Sequence, residues 1–217
     1  MEEQIRCNIE NNLLALLQKD GCNLVSSLSL DSTRAIGDAI QSFVEQHFRE
    51  CIPNKFLGEY EDDFSRRSMQ DLAFSDKDGN YYAIDVKTHN TGTEFNMPNL
   101  TSVQRLAKFY RNNSNHFCIL MITYNVDGDK IVYTNCQFRP IEHFAWSCLT
   151  LGALGWGQIQ IKNSNDIEIL STPSRKEWMI KMCEALEVFY GIEISKINDR
   201  INWFRQEKEY WENYQYK

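Results

Sequence analysis

The chain has 217 residues, 42% apolar and 12% aromatic, with only 10 Gly and 4 Pro; it can bury one substantial core and is not a fibrous, low-complexity or linker-rich protein. With 30 acidic against 23 basic residues its formal net charge is -7, which argues against a basic protein that coats nucleic acid but not against an enzyme that confines its basic groups to one cleft. The opening Met1-Glu2-Glu3-Gln4 lacks the basic flank of a signal peptide, no apolar run is long enough for a membrane helix, and the 7 cysteines form no Cys-x-x-Cys pair, so reduced thiols in a cytoplasm are the expectation.

Along the chain, Ile5, Ile9, Leu13, Leu14 and Leu17 recur at helical spacing and predict an amphipathic helix over 4–18, ending before Asp20-Gly21. Ser32 or Thr33 caps a second helix, with Ile36, Ile40, Phe43, Val44 and Phe48 on one face and Pro53 beyond its end. Asp38 is expected in its first turn, where an acid suits the helix dipole or could serve a site. A polar stretch from Glu59 to Arg67 follows. Residues 70–74 and 81–87 then read as two strands joined by the turn sequence Asp76-Lys77-Asp78-Gly79-Asn80, a hairpin. The pattern next predicts a helix over 100–110, strands near 117–124 and 130–138, and a strand pair at 157–162 and 167–170. Ser174-Arg175-Lys176-Glu177 opens a helix through Phe189 that Gly191 could end. Beyond it, Ile194, Ile197, Ile201, Phe204 and Trp211 are helically spaced, which fits either a packing helix or a dimerisation helix. The whole reads as one α/β domain: N-terminal helices over 1–67, a sheet with loops over 68–172 and C-terminal helices over 173–217.

The residues that could carry chemistry are Asp71, Asp85 and Lys87. Alternate side chains of a strand share a face, so Asp85 and Lys87 project together while Ile84 and Val86 turn to the core, and Asp71 lies on the neighbouring strand. Two carboxylates from adjacent strands can hold a hard divalent cation through oxygen, with an ammonium beside them to act on a water or a phosphate. The same spacing also arises in an ordinary half-exposed strand. No Gly-rich phosphate loop and no nucleophile elbow is present, so no nucleotide cofactor is expected. His47, His89, His116 and His143 have no metal-cage spacing.

Gln70-Asp71, 14 residues, then Asp85-Val86-Lys87 resembles the active-site motif of the PD-(D/E)xK nuclease superfamily. With Thr88, Asn90 and Pro98-Asn99 after it, Ile36-Gly37-Asp38 before it, and Gln158-Ile159-Gln160 and Arg175-Lys176-Glu177-Trp178 later, the chain is similar to type II restriction endonucleases of the HincII and EcoRV kind. The resemblance spans about residues 33–190. It implies a restriction-endonuclease-like central mixed β-sheet flanked by helices. It also implies a homodimer that cuts short palindromic double-stranded DNA with Mg2+, leaning toward blunt ends. Asp71, Asp85 and the carbonyl of Val86 would hold the metal, Lys87 would assist the attacking water, and Asp38 would match the acid such enzymes carry on the preceding helix. Gln70 stands where the motif has proline, and Asp38 is shorter than the usual Glu.

For DNA contact, the Asn- and Thr-rich segment 88–102 offers Thr88, Asn90, Asn96 and Asn99 as uncharged hydrogen-bonding groups, or it is a solvated loop. Asn163 and Asn165 lie in a second candidate segment that also reads as a plain turn, and Arg175, where a loop enters a capped helix, could meet a phosphate. Within the same superfamily a repair or junction nuclease is the alternative, and outside it a non-catalytic DNA-binding module.

Overall fold

The computed structural model describes residues 1–22, 24, 32–62 and 68–215. A five-stranded mixed sheet is flanked by helices, in an α/β arrangement. Its strands are β1 (Leu57–Glu61), β2 (Leu72–Asp76), β3 (Tyr81–Asn90), β5 (Asn115–Asp127) and β6 (Lys130–Pro140), neighbours in that order. All pairings are antiparallel except β3 with β5, which run parallel from Tyr81 opposite Asn115 to Asn90 opposite Tyr124.

Helices α1 (Glu3–Asp20) and α2 (Thr33–Cys51) cover one face. Ile9, Leu13 and Leu17 from α1 and Ile36, Ile40, Val44 and Phe48 from α2 pack there against Leu72, Ile84, Val86, Leu120 and Phe138. Ser32 caps α2, its side chain accepting from the Ala35 N–H. The other face packs Ala83, Phe117, Ile119 and Met121 against α3 (Val103–Phe109), the first turns of α4 (Arg175–Glu212), and a small sheet. That sheet has β8 (Gln158–Ile161) between β4 (Asn99–Ser102) and β7 (Leu149–Gly152). The central strand β3 is therefore covered on both sides.

The sequence reading of the two N-terminal helices, the 71–87 hairpin and the long strand pair matches the elements present, and five boundaries are corrected. Part of the stretch 59–67 is the edge strand β1, whose Leu57 and Tyr60 pack on the core while its acids face outward, as an edge allows; residues 63–67 lie outside the described residues. The strand expected from Gln70 starts at Leu72. The helix expected from Leu100 starts at Val103, because Leu100 and Thr101 are buried in β4 against β8. Residues 167–170 make a single bridge, Ile169 to Phe144, instead of a strand, and the partner of β8 is the unpredicted β7. Gly191 does not end a helix: it lacks the positive φ of a C-terminal cap, and α4 runs through it for 38 residues.

The turn between β2 and β3 follows its sequence. Asp76 accepts from the backbone N–H of Asp78 and Asn80, from the Asn80 side chain and from Tyr82 OH, and Gly79 takes φ 82°. All 7 cysteines are free. Among the described residues no helix is long and apolar enough to cross a membrane.

Candidate active site

The hairpin register fixes the site. Leu72 lies opposite Ile84, and the Asp71 N–H donates to the Ile84 carbonyl at 2.8 Å, so Asp71 sits at the entrance of β2 beside Asp85 on β3. The Val86 N–H donates to Asp71 Oδ2 at 2.7 Å, and Gln41 Nε2, from α2, donates to Asp71 Oδ1 at 3.2 Å. Both oxygens of Asp71 are thereby held. Lys87 projects on the same face as Asp85, and its Nζ lies 2.7 Å from Asp85 Oδ1 and 3.4 Å from the Val86 carbonyl.

Asp85 is different in kind. It is 6% exposed, and its Oδ2 is buried with no hydrogen-bond partner. Burial disfavours its charged form, the Lys87 ammonium opposes that effect and Asp71 adds to it, and the carboxyl is pushed up to about 7. An unsatisfied buried carboxylate oxygen is costly in a folded chain.

These atoms suit a small hard cation. Asp71, the free oxygen of Asp85 and the Val86 carbonyl offer oxygen only, and no cluster of 3 or more His, Cys, Asp or Glu that could hold a metal occurs among the described residues. Magnesium keeps several of its waters and is bound by one or two carboxylates, whereas calcium wants a fuller cage and zinc prefers nitrogen and sulfur. The donor set fits magnesium best.

Asp71 and Asp85 line a cleft of about 480 Å³ walled by Thr101, Gln104 and Arg105 of the β4–α3 segment and by Trp156 and Gln158 near β8. Leu154 and Trp156 at its rim are 67% and 65% exposed. The packing of the small sheet against the large one thus opens a groove at the acids and lends it a guanidinium.

Asp38 stands apart from this site. It is the sixth residue of α2 and so lies past the first turn, where a helix-dipole role would apply. Its side chain is 76% exposed and is paired only loosely, at 3.9 Å, with Arg34. The acid of α2 turned toward Asp71 is Glu45: Gln41 Nε2 donates to Glu45 Oε1 at 2.9 Å as well as to Asp71. Sequence reasoning missed Gln41 and Glu45. Asp38 and Glu45, seven residues apart, share one side of the helix, so the pattern alone does not separate them; what does is which turn of α2 lies beside Asp71, and that is the turn of Gln41.

The candidate DNA-contacting residues fall into four groups. Thr88, Asn90 and Asn96 meet in a second depression of about 250 Å³ with Thr33 and Arg34. There α2 approaches β3 closely, because Gly37 has no Cβ; one would lie 3.0 Å from Thr88 Oγ1. Asn99 lies exposed on β4, its Oδ1 accepting from Gln160 Nε2 at 2.5 Å. Asn163 and Asn165 are occupied within the chain. Asn165 Nδ2 donates to the Thr93 and Glu94 carbonyls and its Oδ1 lies 2.9 Å from His89 Nε2, while Asn163 Oδ1 accepts from the Asn96 N–H. They tie the 93–96 loop to the 163–166 turn.

Arg175 is engaged elsewhere. Its Nε donates to Glu142 Oε1 at 3.0 Å, its Nη1 to the Asn113 carbonyl, and its guanidinium lies 4.3 Å over the Tyr110 ring, while Tyr110 OH donates to the other Glu142 oxygen at 2.6 Å. This is a satisfied buried network that closes the start of α4 onto the sheet. Burial, with the positive charge of Arg175 beside it, lowers the neighbouring His116 to about 4. No protein-family model and no curated protein matches this chain.

Proposed function

We propose that the chain is a type II restriction endonuclease on a restriction-endonuclease-like fold, hydrolysing phosphodiester bonds of double-stranded DNA at a short palindromic site, with magnesium as cofactor and a homodimer as the working form. The observation that carries this reading is the pairing of Asp71 and Asp85 beside Lys87 in an open cleft, with one Asp85 oxygen buried and unpartnered. Asp71, Asp85 and the Val86 carbonyl would hold the ion, which polarises the scissile phosphate when bound. Lys87 stands next to the unsatisfied carboxylate, where its ammonium can donate to the attacking water or to a phosphate oxygen. The Val86 N–H and Gln41 fix Asp71 so that it does not rotate away. Arg105 on the cleft wall adds positive charge where a phosphate would lie.

With a net charge of -7, nonspecific affinity for DNA is low, and discrimination rests on base-edge contacts and on the cost of deforming the wrong sequence. A two-fold protein matches a two-fold site, each subunit cutting one strand.

Incubation with a sequenced plasmid and magnesium, followed by mapping of fragment ends, tests the reading. Discrete fragments with a common end sequence are expected, lost on chelation and lost in Lys87→Ala. Structure-selective nicking would indicate a junction or repair nuclease, and no cutting of any DNA would remove the nuclease assignment.

A further inference from the structure

Helix α4 divides into two halves. Trp178, Met182 and Leu186 hold its first turns against the core, and Tyr190 OH donates to the Trp156 carbonyl at the rim of the acid cleft. Beyond Tyr190 no residue of the helix is buried. Ile194, Ile197, Ile201, Phe204 and Trp211 are 44% to 66% exposed. About 20 residues, some 30 Å of helix, project with an apolar stripe that nothing among the described residues covers.

The spacing of that stripe is informative. Ile194, Ile197, Ile201, Phe204, Lys208 and Trp211 alternate in steps of three and four, the a and d positions of consecutive heptads. Ile194, Ile201 and Lys208 take a; Ile197, Phe204 and Trp211 take d. Ile197, Ile201 and Phe204 line a shallow apolar depression edged by Arg200, Arg205 and Lys208.

We propose that this outer half of α4 pairs with the same segment of a second copy as an antiparallel two-helix coiled coil, centred between Asn202 and Trp203. The charges that flank the stripe choose the occupant and its direction. In a parallel pair, Arg200 at g would face the partner's Arg205 at e, and Glu207 at g the partner's Glu212 at e, so both flanking contacts would join like charges. In an antiparallel pair g faces g. With Ile201 set against the partner's Phe204, Arg200 meets the partner's Glu207 and, by the two-fold axis, Glu207 meets the partner's Arg200. Sliding the helices by one heptad in either direction sets Arg200 or Glu207 against its own copy. One register therefore satisfies the apolar seam and the charges together. In it Ile194 packs against the partner's Trp211, and Lys208 lies beside the partner's Ile197 at the seam's periphery, where its stem can cover the isoleucine.

This deepens the two-fold part of the proposed function by naming its contact, and it rests on the helix alone, so it stands or falls independently of cleavage. Sedimentation of the full chain across micromolar concentrations reads it. The expected result is a dimer, converted to monomer by Phe204→Glu with an unchanged circular dichroism spectrum, since the substituted face is exposed in the single chain. Arg200→Glu is expected to weaken the dimer roughly tenfold, by replacing two attractive flanking pairs with two repulsive ones, and Arg200→Glu combined with Glu207→Arg is expected to restore it. A wild-type monomer throughout would overturn the proposal and leave the face for a different partner. A dimer indifferent to Phe204→Glu would overturn it too. So would a dimer strengthened by Arg200→Glu, which is the response of a parallel pair.

Discussion

Asp85→Asn interrogates the site without any DNA. The Asp85 carboxyl is raised from an ordinary 3.8 to about 7, chiefly by burial. Between those two values the folded chain holds a proton that the unfolded chain has released, so stability from this group falls as pH rises through that window. At about 1.4 kcal/mol per pKa unit, the accumulated cost reaches about 4 kcal/mol once both states are ionised, the smaller part of it already present at pH 5. An amide never ionises and can still accept from Lys87. In the absence of divalent metal, Asp85→Asn is therefore expected to be more stable than wild type by up to about 4 kcal/mol at pH 8, with the gap narrowing at pH 5. Urea denaturation at the two pH values measures it, and by heat the difference corresponds to roughly 2 to 4 °C per kcal/mol for a chain of this size. On the proposed reading magnesium is expected to reverse the ranking, by binding the ionised pair of the folded wild type and finding no second carboxylate in the variant. A variant no more stable than wild type at pH 8 would refute the account of Asp85 as a strained, uncompensated acid. An equal response of both proteins to magnesium would refute the assignment of Asp85 as a ligand.

Lys87→Ala is expected to abolish cleavage while leaving the circular dichroism spectrum unchanged, since among the described residues its Nζ bonds only to Asp85 and the Val86 carbonyl. Glu45→Gln is expected to slow cleavage at least roughly tenfold, about 1.4 kcal/mol of transition-state stabilisation, whereas Asp38→Asn, exposed and paired only loosely with Arg34, leaves the rate unchanged; single-turnover rates on a mapped site compare the two. Asn99→Ala loses only an exposed bond to Gln160, so melting should move little while cutting of the cognate site falls if β4 meets DNA; equal rates would remove Asn99 from the interface. Arg175→Ala strands Glu142, which is 7% exposed, and is expected to cost about 3 kcal/mol in denaturant titrations with cleavage unchanged below the melting temperature.

What could be read from the sequence was what periodicity or turn chemistry determines locally. The apolar faces of α1 and α2, the Ser32 and Ser174 caps and the turn after Asp76 are each set by residues within one or two turns of chain, and with them came the face shared by Asp85 and Lys87. Tertiary pairing decided the rest. Leu100 and Thr101 are strand because β8 lies beside them, and Gly191 stays helical with no positive-φ cap to stop the chain. The acid of α2 is a case of the same kind. Asp38 stands beside a quotable motif, but which turn of α2 reaches Asp71 depends on packing, and it is the turn of Gln41 and Glu45.

Two features run against stability alone, and they are the two that point to function. Hydrogen bonds are abundant around the acids yet are spent on Asp71, which receives the Val86 N–H and Gln41, while the more deeply buried Asp85 keeps one oxygen without any donor. A fold selected only to persist would place an amide or an apolar group there. In the same way, the outer half of α4 exposes four isoleucines, a phenylalanine and two tryptophans that nothing among the described residues covers. Each is an interaction left open. The carboxylate asks for a cation and the stripe asks for a second helix. The Tyr190–Trp156 bond joins the root of that helix to the rim of the acid cleft, so a copy docked on α4 would be anchored at the element that borders the acids.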